Sequence, residues 1–504
     1  MDIYEAISIG LYLLLMLGIG FYSYKKSTSD SEEFLISGRS LGPVVTALSA
    51  GAADMSGWLL MGVPGAMYFT GISSAWIAIG LTIGAYLNYV FVAPRLRIYT
   101  EKAKNSITLP VFFENRYKDK THLLKLTSSV FILIFFTLYT SAGMVSGGKL
   151  FESAFGMEYL TGVLVTSAVV VLYTFLGGFL AVSLTDFVQG TIMILALLIV
   201  PVFVIFQLGG PVETVEIISK KGDKYLDLFT GTSVVGIISL IAWGLGYFGQ
   251  PHILVRFMAI EKARDLIKAK KVGISWMVLT LIGAMLVGLT GIAYLSVYDN
   301  NTMNLFDNNS KEAETIFIYF SRTLFHPLIG GFLLSAILAA VMSTISSQLL
   351  VTSSSLVEDI YKAFLRRKAS KKEYLIASRL SVLIVAIVAL LLSLQPKDNI
   401  LNLVGHAWAG FGAAFGPLIL LSLLYKKSSW QGAFAGMMTG GLTVLFWVYY
   451  DHSFKDWYEI IPGFFLALIV NLLVSKLTYK PDSEIDKEFD EVKSETEEAL
   501  KRIN

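Results

Sequence analysis

Apolar residues in this chain come in blocks of about twenty, separated by short polar stretches, and the blocks recur from one end to the other. A hydrocarbon core about 30 Å thick is crossed by about 20 apolar residues in a helix. Each block therefore has the length of a membrane pass. Thirteen spans are predicted, at 3–24, 41–69, 73–92, 126–148, 159–179, 184–208, 234–253, 274–297, 325–357, 375–394, 400–425, 430–449 and 458–477. The first is too long for a cleaved signal peptide, and its flank, with Asp2 and Glu5, is too acidic.

Composition supports the same class. Hydrophobic residues make up 55% of the 504 and charged residues only 15%, against about 25% in a soluble protein. The chain reads as an all-α polytopic membrane protein. A net charge of +2 gives no basic surface for nucleic acid, and the lack of cysteine excludes disulfides and thiolate metal sites. Basic residues gather in alternate loops: Lys25 and Lys26, then 95–120, 262–271, 362–372, and Lys426 with Lys427. By the positive-inside bias these loops are cytoplasmic, which places the N-terminus outside and the C-terminus inside a cell membrane. The tail 480–504 is polar and mostly acidic, and reads as a solvated helix or disorder.

Two spans break their own pattern. Span two holds an acid, Asp54, among Ser49, Gly51, Ser56 and Gly57. An acid at membrane depth faces a cavity, an ion or a partner, and small residues there let a helix unwind and free its carbonyls. Span seven is interrupted by Gly244, Gly246, Gly249 and Pro251. Interrupted spans at matching places in two halves point to inverted five-helix repeats with a site between them, although an ordinary kink would also produce the second. Span nine adds hydroxyls: Ser343 and Ser347 stand four apart and Thr344 and Ser347 three apart, on the small-residue face of Ala336 and Ala340. Hydroxyls and freed carbonyls make an all-oxygen shell for a hard cation; spacing alone does not rank sodium over a proton. Tyr139, Trp58, Trp243 and Tyr247 supply aromatic faces near the breaks for a small organic solute. Asp186 with Ser183 forms an S-x-x-D capping box at the start of span six.

Four stretches together resemble the sodium/solute symporter family: SGRSLGPVVTALSAGAADMSGWLLMGVPGA from Ser37, YTFLGGFLAVSLTDFVQ from Tyr173, WGLGYFGQPHILVRFMA from Trp243 and AAVMSTISSQLLVTSSS from Ala339. The resemblance runs through essentially the whole transmembrane region. It implies a leucine-transporter-type fold with alternating access, broken helices in spans two and seven, and Na+ and L-proline as the transported pair. It further implies sodium ligands from the carbonyls of Ala52, Met55 and Ala340 and the hydroxyls of Ser343 and Thr344, with Asp54 in support. Ser56 and Gly57 would lie at the sodium–substrate junction, and Tyr139, Trp243, Tyr247 and Trp58 would line the proline pocket. Arg39 falls in a motif that affects ion release, and Asp186 with Ser343, Ser346 and Ser347 is a candidate second sodium site.

The expected divisions are 1–40 (first helix and cytoplasmic loop), 41–208 and 209–425 (the two repeats), 426–479 (two peripheral spans) and 480–504 (tail). The expected function is sodium-coupled proline uptake without enzyme activity. The alternatives are a sodium symporter for another amino acid, a sialic acid or a vitamin, or a membrane sensor or channel.

Overall fold

The computed structural model describes residues 2–26, 31–366, 368, 370–395, 400–450 and 454–501. Among these there is no strand. Ten helices are long and apolar enough to cross a membrane, and a bent pair, Val234–Gly249 with Pro251–Ala259 at 45°, makes eleven. Two of the ten are 45 and 49 residues long, each more than twice what one crossing requires.

Both of these long elements double back. In the first, Val63–Thr70 (α3) is followed by Gly71 at φ +75° and then by Ala75–Leu87 (α4). Tyr68 lies against Gly291 and Tyr89 against Gly273 of a single helix, Leu266–Tyr298 (α9 below), so the chain goes out and returns along it. In the second, Tyr159–Gln207 (α6), the turn is at Gly178, with φ +56° and ψ −147°. A straight helix would separate Tyr173 from Gln189 by about 24 Å. Instead Tyr173 donates to the Met342 carbonyl at 3.0 Å, while Gln189 donates to Tyr12, whose hydroxyl meets the Met342 sulfur at 3.6 Å. Dividing both elements restores the thirteen expected spans.

The remaining elements follow the apolar blocks. They are α1 (Ile3–Lys26), α2 (Pro43–Asp54), α5 (Leu123–Phe155), α7 (Val234–Ile241, continuing as a 3-10 segment Ala242–Gly249) and α8 (Pro251–Ala259). Then come α9 (Leu266–Tyr298), α10 (Pro327–Ser354), α11 (Lys371–Ser393), α12 (Ile400–Leu424), α13 (Trp430–Tyr449), α14 (Ile460–Thr478) and α15 (Ser483–Lys501). Helices α10 and α12 are almost wholly buried and form the centre. In α1, α11, α13 and α14 only 28–39% of the apolar stretch is buried, as suits helices that face lipid.

Proline sets both half-helices of the site. Pro43 opens α2 and Pro251 opens α8, where the missing N–H costs nothing and the fixed φ suits a first turn. Helix α2 stops at Asp54 because Met55 leaves helical geometry at φ −85°, ψ 83°. Its far end is tied to the end of α8 by the Leu41 amide on the Ala259 carbonyl, 3.1 Å, and the Glu261 amide on the Leu41 carbonyl, 3.0 Å. The two half-helices thus run antiparallel from a shared anchor to the two breaks. Glycine lets α4 press on the 3-10 segment: a Cβ on Gly84 would strike the Gly244 carbonyl, and one on Gly80 the Ile241 carbonyl.

Candidate ion and solute site

The break in span two frees the oxygens that the helix would otherwise use. The Met55 amide closes the last turn on Gly51, 2.9 Å, the Ser56 amide turns to Asp54, 3.1 Å, and the Leu59 amide to Ser56, 3.0 Å. The Ala52 carbonyl, which the Ser56 amide would cap in an unbroken helix, receives the Ser343 hydroxyl of α10 at 2.7 Å and that of Thr344 at 3.5 Å. Both hydroxyls also reach the Ala340 carbonyl, at 3.1 and 3.2 Å. Four of the five expected sodium ligands therefore meet as one buried oxygen cluster. Met55 sits at the first non-helical position beside them, its sulfur taking the Thr280 hydroxyl at 3.7 Å. Each ligand atom is an uncharged oxygen and each hydroxyl can rotate to present a lone pair, so the set fits a hard monovalent ion.

Around the same break stand the aromatics. Trp58 and Tyr139 both donate to the Asp54 carbonyl, at 3.3 and 3.4 Å, and Tyr247 hydrogen-bonds the Asp54 carboxylate. The Trp58 and Trp243 rings lie 6.4 Å apart. Trp243 stacks on Tyr458, 5.2 Å, and on Trp408, 6.5 Å, while Trp408 meets Tyr247 edge-on at 5.1 Å. Gly57 is held to glycine because a Cβ would come within 2.8 Å of Ser146, and the Ser56 hydroxyl is buried without a hydrogen bond.

The Asp54 carboxylate does not face the Ser343–Thr344 oxygens. At about 100° per residue, Asp54 points roughly opposite to Ala52 on α2. It looks instead into a cavity of about 30 Å³ lined with Ala47, Ala50, Asn88, Tyr89 and Tyr247.

Asp186 is engaged differently from the expectation. Its carboxylate accepts from Ser49 at 2.7 Å and pairs with Arg256 at 3.1 Å, both charged groups being fully buried. Arg256 also donates to Ser49, 3.1 Å, to the His252 carbonyl, 2.6 Å, and to Ser347, 2.5 Å. A guanidinium thus stands between the acid and the serine suggested for a second sodium. Ser346 and Ser347 bond back to the Ser343 carbonyl at 3.0 and 2.8 Å. The Ser183–Asp186 capping box does not form, because α6 resumes right after Gly178 and Ser183 lies inside it without a hydrogen bond. Arg39 is a buried staple: it donates to Asn105 at 3.0 Å, Thr100 at 3.2 Å, the Ser106 carbonyl at 2.8 Å and the Met258 carbonyl of α8 at 2.6 Å.

Trp408, Tyr458, Arg256 and Asn88 were missed from sequence. The glycine-rich setting of Trp408 was the one available signal: Gly246 leaves the space its indole fills.

The profile of the sodium:solute symporter family matches residues 34–440. The chain belongs to this family. The symporter is 57% identical over 482 residues to the osmoregulated proline transporter OpuE of Bacillus subtilis (strain 168), covering 95% of this chain and 96% of that one. It is 54% identical over 498 residues to the sodium/proline symporter 2 of Staphylococcus saprophyticus, covering 97% and 95%. Among solved structures it is similar to a Na+-coupled sialic acid symporter in a substrate-bound outward-open state, with TM-score 0.80 at 18% identity, covering 95% of this chain and 99% of that one. Mhp1, a nucleobase-cation-symport-1 family transporter, aligns in a closed conformation with TM-score 0.57 at 12% identity, covering 93% and 99%. The symporter therefore shares the fold of these sodium- and cation-coupled carriers and is a multi-pass membrane protein.

Proposed function

We propose that this protein carries L-proline into the cell together with sodium, by alternating access and without making or breaking a covalent bond. The carrying observation is the juxtaposition of the Ala52, Ala340, Ser343 and Thr344 oxygens with the Trp58–Tyr139–Trp243–Tyr247 group at one helix break. The names of the relatives supply the solute.

In this reading sodium binds the Ala52, Met55 and Ala340 carbonyls and the Ser343 and Thr344 hydroxyls. It joins α2 to α10 and so favours the conformer in which the solute pocket is formed; coupling is that differential affinity. Proline is a zwitterion. Amides of the limb that begins at Gly57 meet its carboxylate, with Ser56 and Gly57 between ion and solute, and the aromatic faces of Trp58, Tyr139, Trp243 and Tyr247 meet its ring and ammonium. Asp54 supports the ion through the break it shares with Ala52, and Arg39 must release the Met258 carbonyl before the inner end opens. The basic loops lie in the cytoplasm, with the N-terminus outside and the C-terminus inside. Residues 41–208 and 209–425 are the two repeats that move around the site, 1–40 and 426–479 flank them, and 480–504 is a cytoplasmic tail. Because the Arg256 guanidinium already neutralises Asp186 and holds Ser347, one sodium moves per proline. A potential of 100 mV contributes about 2.3 kcal/mol and a tenfold sodium gradient about 1.4 kcal/mol. Together they sustain accumulation of a few hundred-fold.

The test is uptake of labelled proline into proteoliposomes with and without an inward sodium gradient, for wild type, Asp54→Ala and Ser343→Ala. Sodium-driven accumulation that Ser343→Ala cripples supports the reading. Wild-type protein that ignores proline but accumulates another amino acid, a sialic acid or a vitamin with sodium replaces the solute and keeps the ion site.

A further inference from the structure

Buried polar atoms without partners are rare in proteins and rarer at membrane depth, yet four of them sit around one small cavity of this chain. They are one Asp54 carboxylate oxygen, both amide atoms of Asn88 and the Tyr89 hydroxyl, on residues that are 2%, 1% and 7% exposed. All three residues line the cavity of about 30 Å³ between α2, α4, α8 and α9. Asn88 opens a π-helical turn, Asn88–Val92, that follows α4; such turns re-aim side chains and collect at functional sites. Ala47, Ala50 and Asp54, at three- and four-residue spacing, turn one face of α2 to this chamber, while Ala52 turns the other face to Ser343 and Thr344. The chamber thus opens on the face of α2 away from the Ser343–Thr344 hydroxyls and adjoins the oxygen cluster at Gly51 and Met55, which also line it.

We propose that this chamber is a second station for the transported cation, through which sodium leaves the helix break toward the inner end of the protein. The inference rests on the sodium-coupled reading above. No lysine, arginine or histidine lines the chamber, so an ionised Asp54 has no fixed counter-charge there. A carboxylate, an amide oxygen and a phenol oxygen converge on it, the donor set of a hard cation. The volume admits one small ion with a water and excludes an amino acid. The position fits an exit: Phe257 lines the chamber, and the carbonyl of the next residue, Met258, is the one Arg39 holds at 2.6 Å. The Arg39 staple is thus the door beyond the station.

The experiment compares wild type with Asn88→Leu. Sodium-driven proline uptake by the wild type is recorded first, so that failure of the coupling reading is seen by itself. In the variant the half-saturating sodium concentration rises about tenfold or more, as expected for removal of one buried polar contact to a charge, while proline KM at saturating sodium moves far less. A crystal of the wild-type protein soaked in thallium(I), a heavy monovalent stand-in, shows anomalous density between Asp54 and Asn88. Asn88→Leu protein with wild-type sodium dependence overturns the proposal, and so does density confined to the Ser343–Thr344 side. Should the variant fail to fold, the thallium map of the wild type decides alone.

Discussion

Arg256 places a full positive charge where water does not reach, and its arrangement fixes what its loss will do. The guanidinium meets Ser49 on α2, Asp186 on α6 and Ser347 on α10, and lies 5.2 Å over the Phe179 ring, so it holds three helices to α8. Removing one member of a buried ion pair costs about 3–5 kcal/mol because the other charge is stranded, whereas neutralising both together is often nearly neutral. Arg256→Gln is expected to lower the thermal unfolding midpoint in detergent strongly, and Asp186→Asn with Arg256→Gln to recover most of it. A double variant no better than the single one would show that the pair is not what stabilises this region. Reversal potentials of the wild type are expected at one sodium per proline; a value corresponding to two would mean that the arginine moves aside for an ion. At the oxygen cluster, Ser343→Ala or Thr344→Ala removes one proposed oxygen ligand of the ion, a polar contact to a charge worth about 1.5–3 kcal/mol. Ser343→Ala and Thr344→Ala should each raise the half-saturating sodium concentration roughly tenfold, read from uptake at fixed proline.

At the scale of elements, the hairpin inside α6 depends on one residue. Gly178 adopts φ +56°, ψ −147°, a region closed to side chains, and a Cβ there would lie 2.6 Å from Phe34. Gly178→Ala is expected to reduce folded protein sharply, as read by the monodisperse fraction on size exclusion; Gly10→Ala, with open space around it, is the silent control. This turn also marks the limit of what the chain discloses before folding. The spans were legible because lipid demands about twenty apolar residues whatever packs beside them. The two breaks were legible because glycine and proline act on their own backbone, and the face of Ser343, Thr344 and Ser347 beside Ala336 and Ala340 because helical spacing alone places it; which of these oxygens hold the ion was implied only by the family resemblance. Arg256, Asn88, Trp408 and Tyr458 were not legible, since each is a lone residue whose partners lie in other helices. Asp186 misled for the same reason: Ser183 three residues before it has the form of a cap, and only the turn at Gly178 shows that the helix has already begun.

For the whole molecule, the acidic tail is a docked helix and not a solvated one. Phe489, Val492 and Thr496 bury one face of α15, with Arg116 lying 5.3 Å over the Phe489 ring and Tyr99 edge-on to it at 6.4 Å. Around that face run ion pairs from two basic loops: Lys102 to Glu491 and Glu495 at 3.1 and 2.8 Å and Lys118 to Asp482 and Glu484 from the first, and Lys426 to Asp490 at 2.7 Å from the second. These pairs are largely exposed, so each is weak, and raising salt from about 0.15 M to 1 M shortens the screening length from about 8 to 3 Å. The apolar face resists salt. Hydrogen exchange of α15 at neutral pH is therefore expected to accelerate with salt over its charged rim, with Phe489→Ala needed for full release; unchanged exchange to 1 M would assign docking to the apolar face alone. The pH signs oppose one another. Asp482 caps α15 by accepting the Ile485 and Glu484 amides, which hold its carboxyl below the ordinary aspartate value of 3.8. The support it gives is complete above that value and is lost as pH falls through its lowered one. Glu488, half-buried, is pushed up by burial, so its ionisation works slightly against docking as pH climbs past 4.5. Lys426 is raised by its hydrogen bond to Asp490, and that support fails only above 10.5. Between about pH 6 and 9 neither Asp482, held below its ordinary value, nor Lys426, held above its own, changes charge, so tail exchange, corrected for the intrinsic rate, should be flat across that window as far as these two are concerned. A step near neutrality would point to the half-buried, upward-shifted Glu488 or to a group outside this interface.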